Sequence, residues 1–207
     1  MAYGNDENNL SNNTNETALT DYTQQYDAII FDCDGTLTDS MPLHFVAWRD
    51  TMQIYGIDFG EDAFYGMAGM PSEKIIAKLS SEQGVDVDAD QVSHEKEAAF
   101  ESMIDRLEAK SEVCQIARDH FGKLPMAVAS GGIRPIVDRQ LEHLGIADLF
   151  GAIVTAEDTE HHKPQPDVFL KAAELLQVDP TKCLVFEDSE LGFAAAEKAG
   201  MAWIDVR

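Results

Sequence analysis

The stretch from Tyr26 to Thr38, reading Tyr-Asp-Ala-Ile-Ile-Phe-Asp-Cys-Asp-Gly-Thr-Leu-Thr, constrains this chain more than any other. Its consecutive apolar residues, Ala28 to Phe31, run straight into two carboxylates and a glycine. An unbroken apolar run bounded by turn residues predicts a strand buried on both faces of a parallel sheet. In open α/β sheets, ligands bind at the carboxyl ends of strands. Asp32 and Asp34, two apart along an extended chain, point the same way. Paired acids in that place can hold a divalent cation and divide nucleophilic from acid–base work.

Further short apolar runs follow at Pro125–Ala129, Ala152–Ala156, Cys183–Phe186 and Ala202–Val206. They alternate with helix patterns at Ser111–Phe121, Arg134–Leu144, Asp167–Leu176 and Leu191–Ala199. Strands alternating with helices predict an α/β fold with a doubly wound parallel sheet and right-handed crossovers. Between the first and second strands no strand candidate occurs. Residues 41–108 read instead as helices: Met41 to about Tyr55, a short one capped by Ser72 and running to Leu79, and a long one from about Ala89 to Ala109. Gly66 to Pro71 and Gly84 to Asp90 read as loops. A crossover needs only about a dozen residues, so this all-helical stretch is expected to be an inserted domain. The expected division is a polar extension over 1–24 with at most a short helix near Glu16–Tyr22, a core domain over 25–40 and 109–207, and a helical domain over 41–108.

Charge removes several classes of partner. A formal net charge of −23 repels nucleic acid and anionic membrane, so neither is expected. No apolar run approaches the roughly 18 residues of a membrane span. The first residues have neither a basic nor an apolar signal region, so their Asn-X-Ser/Thr matches are accidents of an Asn-rich composition. Cys33, Cys114 and Cys183 are far apart, with no metal-binding spacing. They predict reduced, buried thiols in a cytoplasmic protein. His161 and His162 lack the spacing of a zinc site.

The strand ends bring one chemistry together. The first offers Asp32 and Asp34, the second Ser130 with Gly131 and Gly132, and the fourth Glu187 and Asp188. Lys163 lies in the loop before a helix. Oxygen donors of this kind suit Mg²⁺. One carboxylate can attack phosphorus in line, and a second can protonate the leaving oxygen and later deprotonate water. Ser130, the amides after it and the next helix N-terminus can bind phosphate oxygens. Lys163 can neutralise the clustered charge. Each motif alone is common: acids after strands cap turns, and Glu-Asp before a helix is an N-cap. Separate accidents at three strand ends on one ligand-binding edge are a poorer explanation than a site.

Asp32-Cys33-Asp34-Gly35-Thr36, Ser130, Lys163 and Glu187-Asp188, in that order, resemble the signatures of the haloacid dehalogenase superfamily of phosphatases and phosphomutases. The resemblance spans Tyr26 to Arg207. It implies a Rossmann-like core with a helical cap, Asp32 as nucleophile and Asp34 as general acid/base. It also implies Mg²⁺ on Asp32, the Asp34 carbonyl and Asp188, with Glu187 at or beside the metal. The helical block resembles the cap of the β-phosphoglucomutase-like branch. The stretches His161–Asp167 and Val185–Ser189 resemble fructose-1-phosphatase-like sugar phosphatases within it.

The expected activity is therefore phosphatase action on a small sugar phosphate by a monomer. A mutase is the alternative, and a non-catalytic phospho-ligand binder the second. The mutase grips a distal phosphate with a cap-loop Arg, where this chain has Ser72; Gly69 and Lys74 flank that position as candidate substrate contacts. His44 and Trp48, four apart on the first cap helix, match the mutase-type pattern. His44 is expected to orient Asp34, and Trp48 either stacks on a sugar or packs between helices. Arg134 either reaches the substrate or lies on the surface.

Overall fold

The computed structural model describes residues 22–68 and 70–207. The strands β1 (Ala28–Phe31), β2 (Met126–Ala129), β3 (Ala152–Val154), β4 (Cys183–Glu187) and β5 (Ala202–Asp205) form one sheet in the order β3-β2-β1-β4-β5. Every pairing is parallel. The helices are α1 (Met41–Ile54), α2 (Glu61–Gly66), α3 (Ser72–Gln83), α4 (Ala89–Glu101), α5 (Ser111–His120), α6 (Arg134–His143), α7 (Asp167–Leu176) and α8 (Glu190–Lys198). The chain winds outward from β1 through β2 to β3, then crosses to β4 and β5. The order thus reverses between β1 and β4, the place where such sheets bind ligands.

The central position of β1 explains its unbroken apolar run. Side chains alternate across a strand, and both faces of β1 are covered. Ala28 and Ile30 pack with Phe169 of α7 and Ala195 of α8. Ile29 and Phe31 pack with Val113 of α5 and with Val137 and Leu141 of α6. Phe31 is paired with Val128 on one side and Phe186 on the other, and its ring stacks on that of Phe186 at 5.1 Å.

Helices α1 to α4 lie between β1 and α5 in the chain and have an apolar centre of their own, which includes Trp48, Met52, Phe64, Ile76 and Val92. The chain leaves the sheet beside the place where it returns. Thr38 forms an antiparallel bridge with Ala109, Asp39 N donates to Glu108 O at 2.8 Å, and Lys110 N donates to Leu37 O at 3.0 Å. A second apolar group joins the block to the sheet layer: Leu43, Ala47, Phe100 and Leu107 pack with Ile136 of α6.

The sheet and its flanking helices match the sequence expectation, and the differences have local causes. Helix α2 was not anticipated; at six residues it is too short to show a periodic pattern. Ser72 is the first residue of α3 and not its cap, with Pro71 preceding it, and the helix runs on to Gln83 before Gly84 takes the left-handed conformation that ends it. Helix α4 stops at Glu101 instead of near Ala109. A 3-10 turn at Ile104–Arg106 then directs Leu107 into the joint and Ala109 to Thr38. Strand β3 ends at Val154 because Thr155 caps a 3-10 turn over Ala156–Asp158. The short helix expected near Glu16–Tyr22 falls, apart from Tyr22, outside the described residues. Among the described residues no helix is long and apolar enough to cross a membrane. The three cysteines are buried and unpaired.

Because Phe31 fills both the layer between sheet and α5–α6 and the stack with Phe186, Phe31→Ala is expected to cost about 3–5 kcal/mol. Urea unfolding checks this as a lower midpoint at an unchanged slope.

Candidate active site

At the carboxyl edge of β1 and β4 the ammonium of Lys163 lies between two carboxylates. Its Nζ donates to Asp32 Oδ1 at 2.6 Å and to Glu187 Oε2 at 2.7 Å. All three residues are buried. The loop before α7 delivers Lys163, and the Phe169 ring of that helix lies 4.9 Å from its Nζ. Burial alone would depress the lysine, but the two carboxylates raise it above its ordinary value, so it is charged. Burial pushes the Asp32 carboxyl up, and Lys163 opposes that push.

Glycines shape the acidic edge. The loop after β1 turns at Gly35, with φ +81°. A Cβ there would meet Asp188 Oδ2 at 2.2 Å. Thr36 Oγ1 donates to Asp188 Oδ1 at 3.2 Å. Glu187 is held on its other oxygen: Ser189 N and Oγ donate to Oε1 at 3.0 and 2.8 Å. Gly192 in the first turn of α8 makes room for it, since a Cβ there would fall 1.9 Å from Glu187 Cδ.

Asp32, Glu187 and Asp188 each bring an oxygen within 4.8 Å of the others. Three carboxylates face one lysine, an excess of negative charge that a divalent cation would balance. Burial, then the Glu187 charge, pushes Asp188 up to about 7. This hard-oxygen set fits Mg²⁺. Both oxygens of Glu187 already accept hydrogen bonds from protein groups, so Asp32 and Asp188 are the side chains better placed to ligate, with Glu187 alongside.

Asp34 has a different setting. Its Oδ1 accepts from Ser40 Oγ at 2.7 Å, His44 Nε2 at 3.0 Å and Gln140 Nε2 at 3.1 Å. Its Oδ2 faces the Ser130 turn, 3.5 Å from where a Gly132 Cβ would stand. Burial alone would raise this carboxyl, but the donors, His44 first, hold it below the usual carboxylate range. Lys96 Nζ lies 3.1 Å from His44 Nδ1. An ammonium only donates, so Nδ1 accepts and Nε2 carries the proton given to Asp34. Burial, then the Lys96 charge, depresses His44, in agreement with a neutral ring. The imidazole stacks on Phe100 at 3.6 Å.

The remaining residues anticipated from sequence are placed unequally. Ser130, Gly131 and Gly132 line the same pocket as Asp32 and Asp34. Ser130 Oγ accepts from Gly132 N at 3.0 Å. Trp48 lines the pocket too, yet is 3% exposed, with its ring perpendicular to that of Phe59 and Lys96 Nζ 5.1 Å from its centre. Lys74 is exposed on α3 and is not among the lining residues, whereas Ser72 is. Gly69 lies outside the described residues. Arg134 turns away from the pocket, donating to Ile153 O at 2.9 Å and pairing with Asp158. The Glu157 carboxylate accepts from Arg134 N at 2.9 Å, so an internal anion holds that amide at the start of α6.

Ser40, Lys96, Glu97 and Gln140 escaped the sequence reading. Two of them left a visible sign. Lys96 interrupts the buried stripe Val92–Phe100 of α4, and Gln140 interrupts the stripe Ile136, Val137, Leu141 of α6. A polar residue in an apolar stripe needs a buried partner.

A family model described as haloacid dehalogenase-like hydrolase matches residues 26–200. The chain is 36% identical over 184 residues to a fructose-1-phosphate phosphatase of Escherichia coli, covering 89% of this chain and 98% of that protein. It is 30% identical over 191 residues to a β-phosphoglucomutase of Bacillus subtilis, covering 86% and 82%. The crystal structure of a β-phosphoglucomutase from Clostridium difficile superposes with a TM-score of 0.77 at 26% identity, covering 87% of this chain and 84% of that one.

Two outcomes follow from this geometry. Gly192→Ala is expected to displace Glu187 and release Lys163, cutting activity at least tenfold. A comparison of kcat/KM with the parent protein checks this. The folded chain holds the Asp188 proton up to about pH 7, whereas the unfolded chain loses it near the usual 3.8. Across that window the folded state binds more protons, so metal-free stability falls as pH rises. Asp188→Asn removes this loss. At pH 8 in EDTA it is expected to melt several degrees above the parent, at roughly 2–4 °C per kcal/mol, and to gain nothing from added Mg²⁺.

Proposed function

The chain belongs to the haloacid dehalogenase-like hydrolase family, and on that premise we propose that it is a Mg²⁺-dependent phosphatase of a small sugar phosphate such as fructose 1-phosphate. The observation that carries this reading is the unequal setting of two acids on one strand end. Asp32 is fixed by a charged lysine among other carboxylates, while Asp34 is fixed on one oxygen with the other facing the Ser130–Gly132 turn.

Asp32 attacks phosphorus as the carboxylate and forms an aspartyl-phosphate; Lys163 orients it and opposes the burial that pushes its carboxyl up. Ser130 and the amides of Gly131 and Gly132 bind the phosphoryl oxygens. Asp34 begins as a carboxylate, so a proton enters on Oδ2 from the substrate monoanion and passes to the departing alkoxide. The same oxygen then takes a proton from the water that hydrolyses the phosphoenzyme. His44 and Lys96 fix Asp34 from the helical side, which makes α1–α4 a cap over the site. Asp32, the Asp34 carbonyl and Asp188 would hold Mg²⁺, with Glu187 beside it. When bound, the cation supplies charge to the phosphoryl oxygens as they shift in the transition state.

The far end of the pocket favours hydrolysis of a monophosphate over mutase action. Two lysines line the pocket, Lys163 and Lys96, and both have carboxylate partners. Ser72 stands where the mutase has its arginine, and its hydroxyl donates to Glu97 at 3.3 Å. Glu97 takes up both Lys96 and Ser72, so the described lining offers a second phosphate no unpaired cation, and a neutral sugar hydroxyl needs none. The named relatives include a phosphatase of fructose 1-phosphate, which supports the substrate class. Buried free cysteines suit a cytoplasmic enzyme, and a site built within one chain suits a monomer.

With Mg²⁺ and either fructose 1-phosphate or β-glucose 1-phosphate, the protein is expected to release inorganic phosphate. Glucose 6-phosphate formed without phosphate release would overturn the reading in favour of a mutase. Asp32→Asn is expected to form no phosphoenzyme and to lose turnover to background while melting normally. Asp34→Asn is expected to slow sugar phosphate hydrolysis by about 10²–10⁴.

A further inference from the structure

Gln140 is wholly buried on α6. Its neighbours in the buried stripe, Ile136, Val137 and Leu141, are aliphatic. A carboxylate has no proton to give, so only the amide nitrogen of Gln140 can face Asp34. That orientation matches the 3.1 Å bond from Nε2 to Asp34 Oδ1. The amide oxygen is then turned away, and no described group donates to it. An aliphatic residue would continue the stripe without leaving a buried acceptor unpaired. The hydrogen bond that Gln140 makes is therefore the one to Asp34.

That bond completes a set. Ser40 and His44 approach Oδ1 from the start of α1, and Gln140 approaches the same oxygen from α6, on the sheet side. With three donors Oδ1 has no room for a proton. Oδ2, which faces the Ser130–Gly132 turn, is the oxygen left to receive and give one.

We propose that Gln140 is a positioning residue for proton transfer, pinning Asp34 Oδ1 so that Oδ2 is presented to the leaving group of the bound phosphate ester. The proposal rests on the reading of Asp34 as general acid/base. In the step concerned, the bond from Asp32 to phosphorus forms as the bond from phosphorus to the ester oxygen breaks. The proton moves from Asp34 Oδ2 to that oxygen, leaving an alcohol and the Asp34 carboxylate. Gln140 reaches Asp34 from α6, across the joint from Ser40 and His44.

The test compares two esters on the full-length, Mg²⁺-loaded protein: fructose 1-phosphate, whose alkoxide needs a proton to leave, and p-nitrophenyl phosphate, whose phenolate does not. The ratio kcat/KM covers events only up to loss of the alcohol, so phosphoenzyme hydrolysis does not enter. Gln140→Met, unbranched and of similar length, is expected to lower kcat/KM about tenfold for fructose 1-phosphate and less than twofold for p-nitrophenyl phosphate, with no fall in melting temperature. Gln140→Leu also removes the donor, and is expected to show the same selective loss. Equal losses on both esters, or no loss on either, would overturn the proposal. A parent protein that hydrolyses neither ester would instead overturn the phosphatase reading beneath it.

Discussion

The buried bridge from Lys163 to Asp32 and Glu187 ties together three parts of the chain that are distant in sequence: the end of β1, the end of β4 and the loop before α7. An ammonium and carboxylates out of water lose hydration worth several kcal/mol each, and regain it only through close, well-aligned contacts. The contacts here are short, and Glu187 takes additional donors from Ser189. Such a group tolerates little displacement, because removing one partner strands the others. The strand ends must therefore meet in register, and the pairing of β1 with β4, Phe31 opposite Phe186, provides that register. Gly35 and Gly192 provide the clearance.

Within this frame, two chemically identical side chains acquire different behaviour two residues apart. Asp32 answers to fixed charges, Lys163 on one side and the other carboxylates on the other. Asp34 answers to hydrogen-bond donors contributed by the start of α1 and by α6. Its partners straddle the joint between the helical block and the sheet layer, where Phe100 stacks on His44 and Ile136 packs with Leu43. Asp34 is thus set by tertiary packing, and Asp32 by the sheet edge.

This division explains what the sequence could reveal. Strands and strand-end groups were legible because they follow from short-range facts: an apolar run long enough for one strand, then a turn with carboxylates. Ser130 was legible through its position after such a run, Lys163 through its place in a loop before a helix, and both through the family resemblance. Helix α2 was hidden by its length, and the early stop of α4 by a requirement of the joint that no local pattern encodes. Gln140 is paired across the fold from Asp34, and the stripe it interrupts shows only that a partner must exist. For Arg134 the sequence left substrate contact and a surface position both open; Asp158 and the backbone of Ile153 claim its guanidinium, a contact between segments that sequence adjacency does not suggest.

The antiparallel bridge between Thr38 and Ala109 bears on how the chain folds. Pairing β1 with β2 closes a loop of roughly a hundred residues, a costly event for a flexible segment. The intervening helices have their own apolar centre, in which the first and last of them, α1 and α4, pack against each other. Once they collapse, their two ends stand side by side, and the loop that the sheet must close shrinks to roughly two dozen residues flanking the bridge, α5 among them. The inserted block would then act as a scaffold for the search, turning a slow encounter of distant strands into a nearly local one. Its early formation would also bring Ser40 and His44 to the joint before the sheet edge is complete.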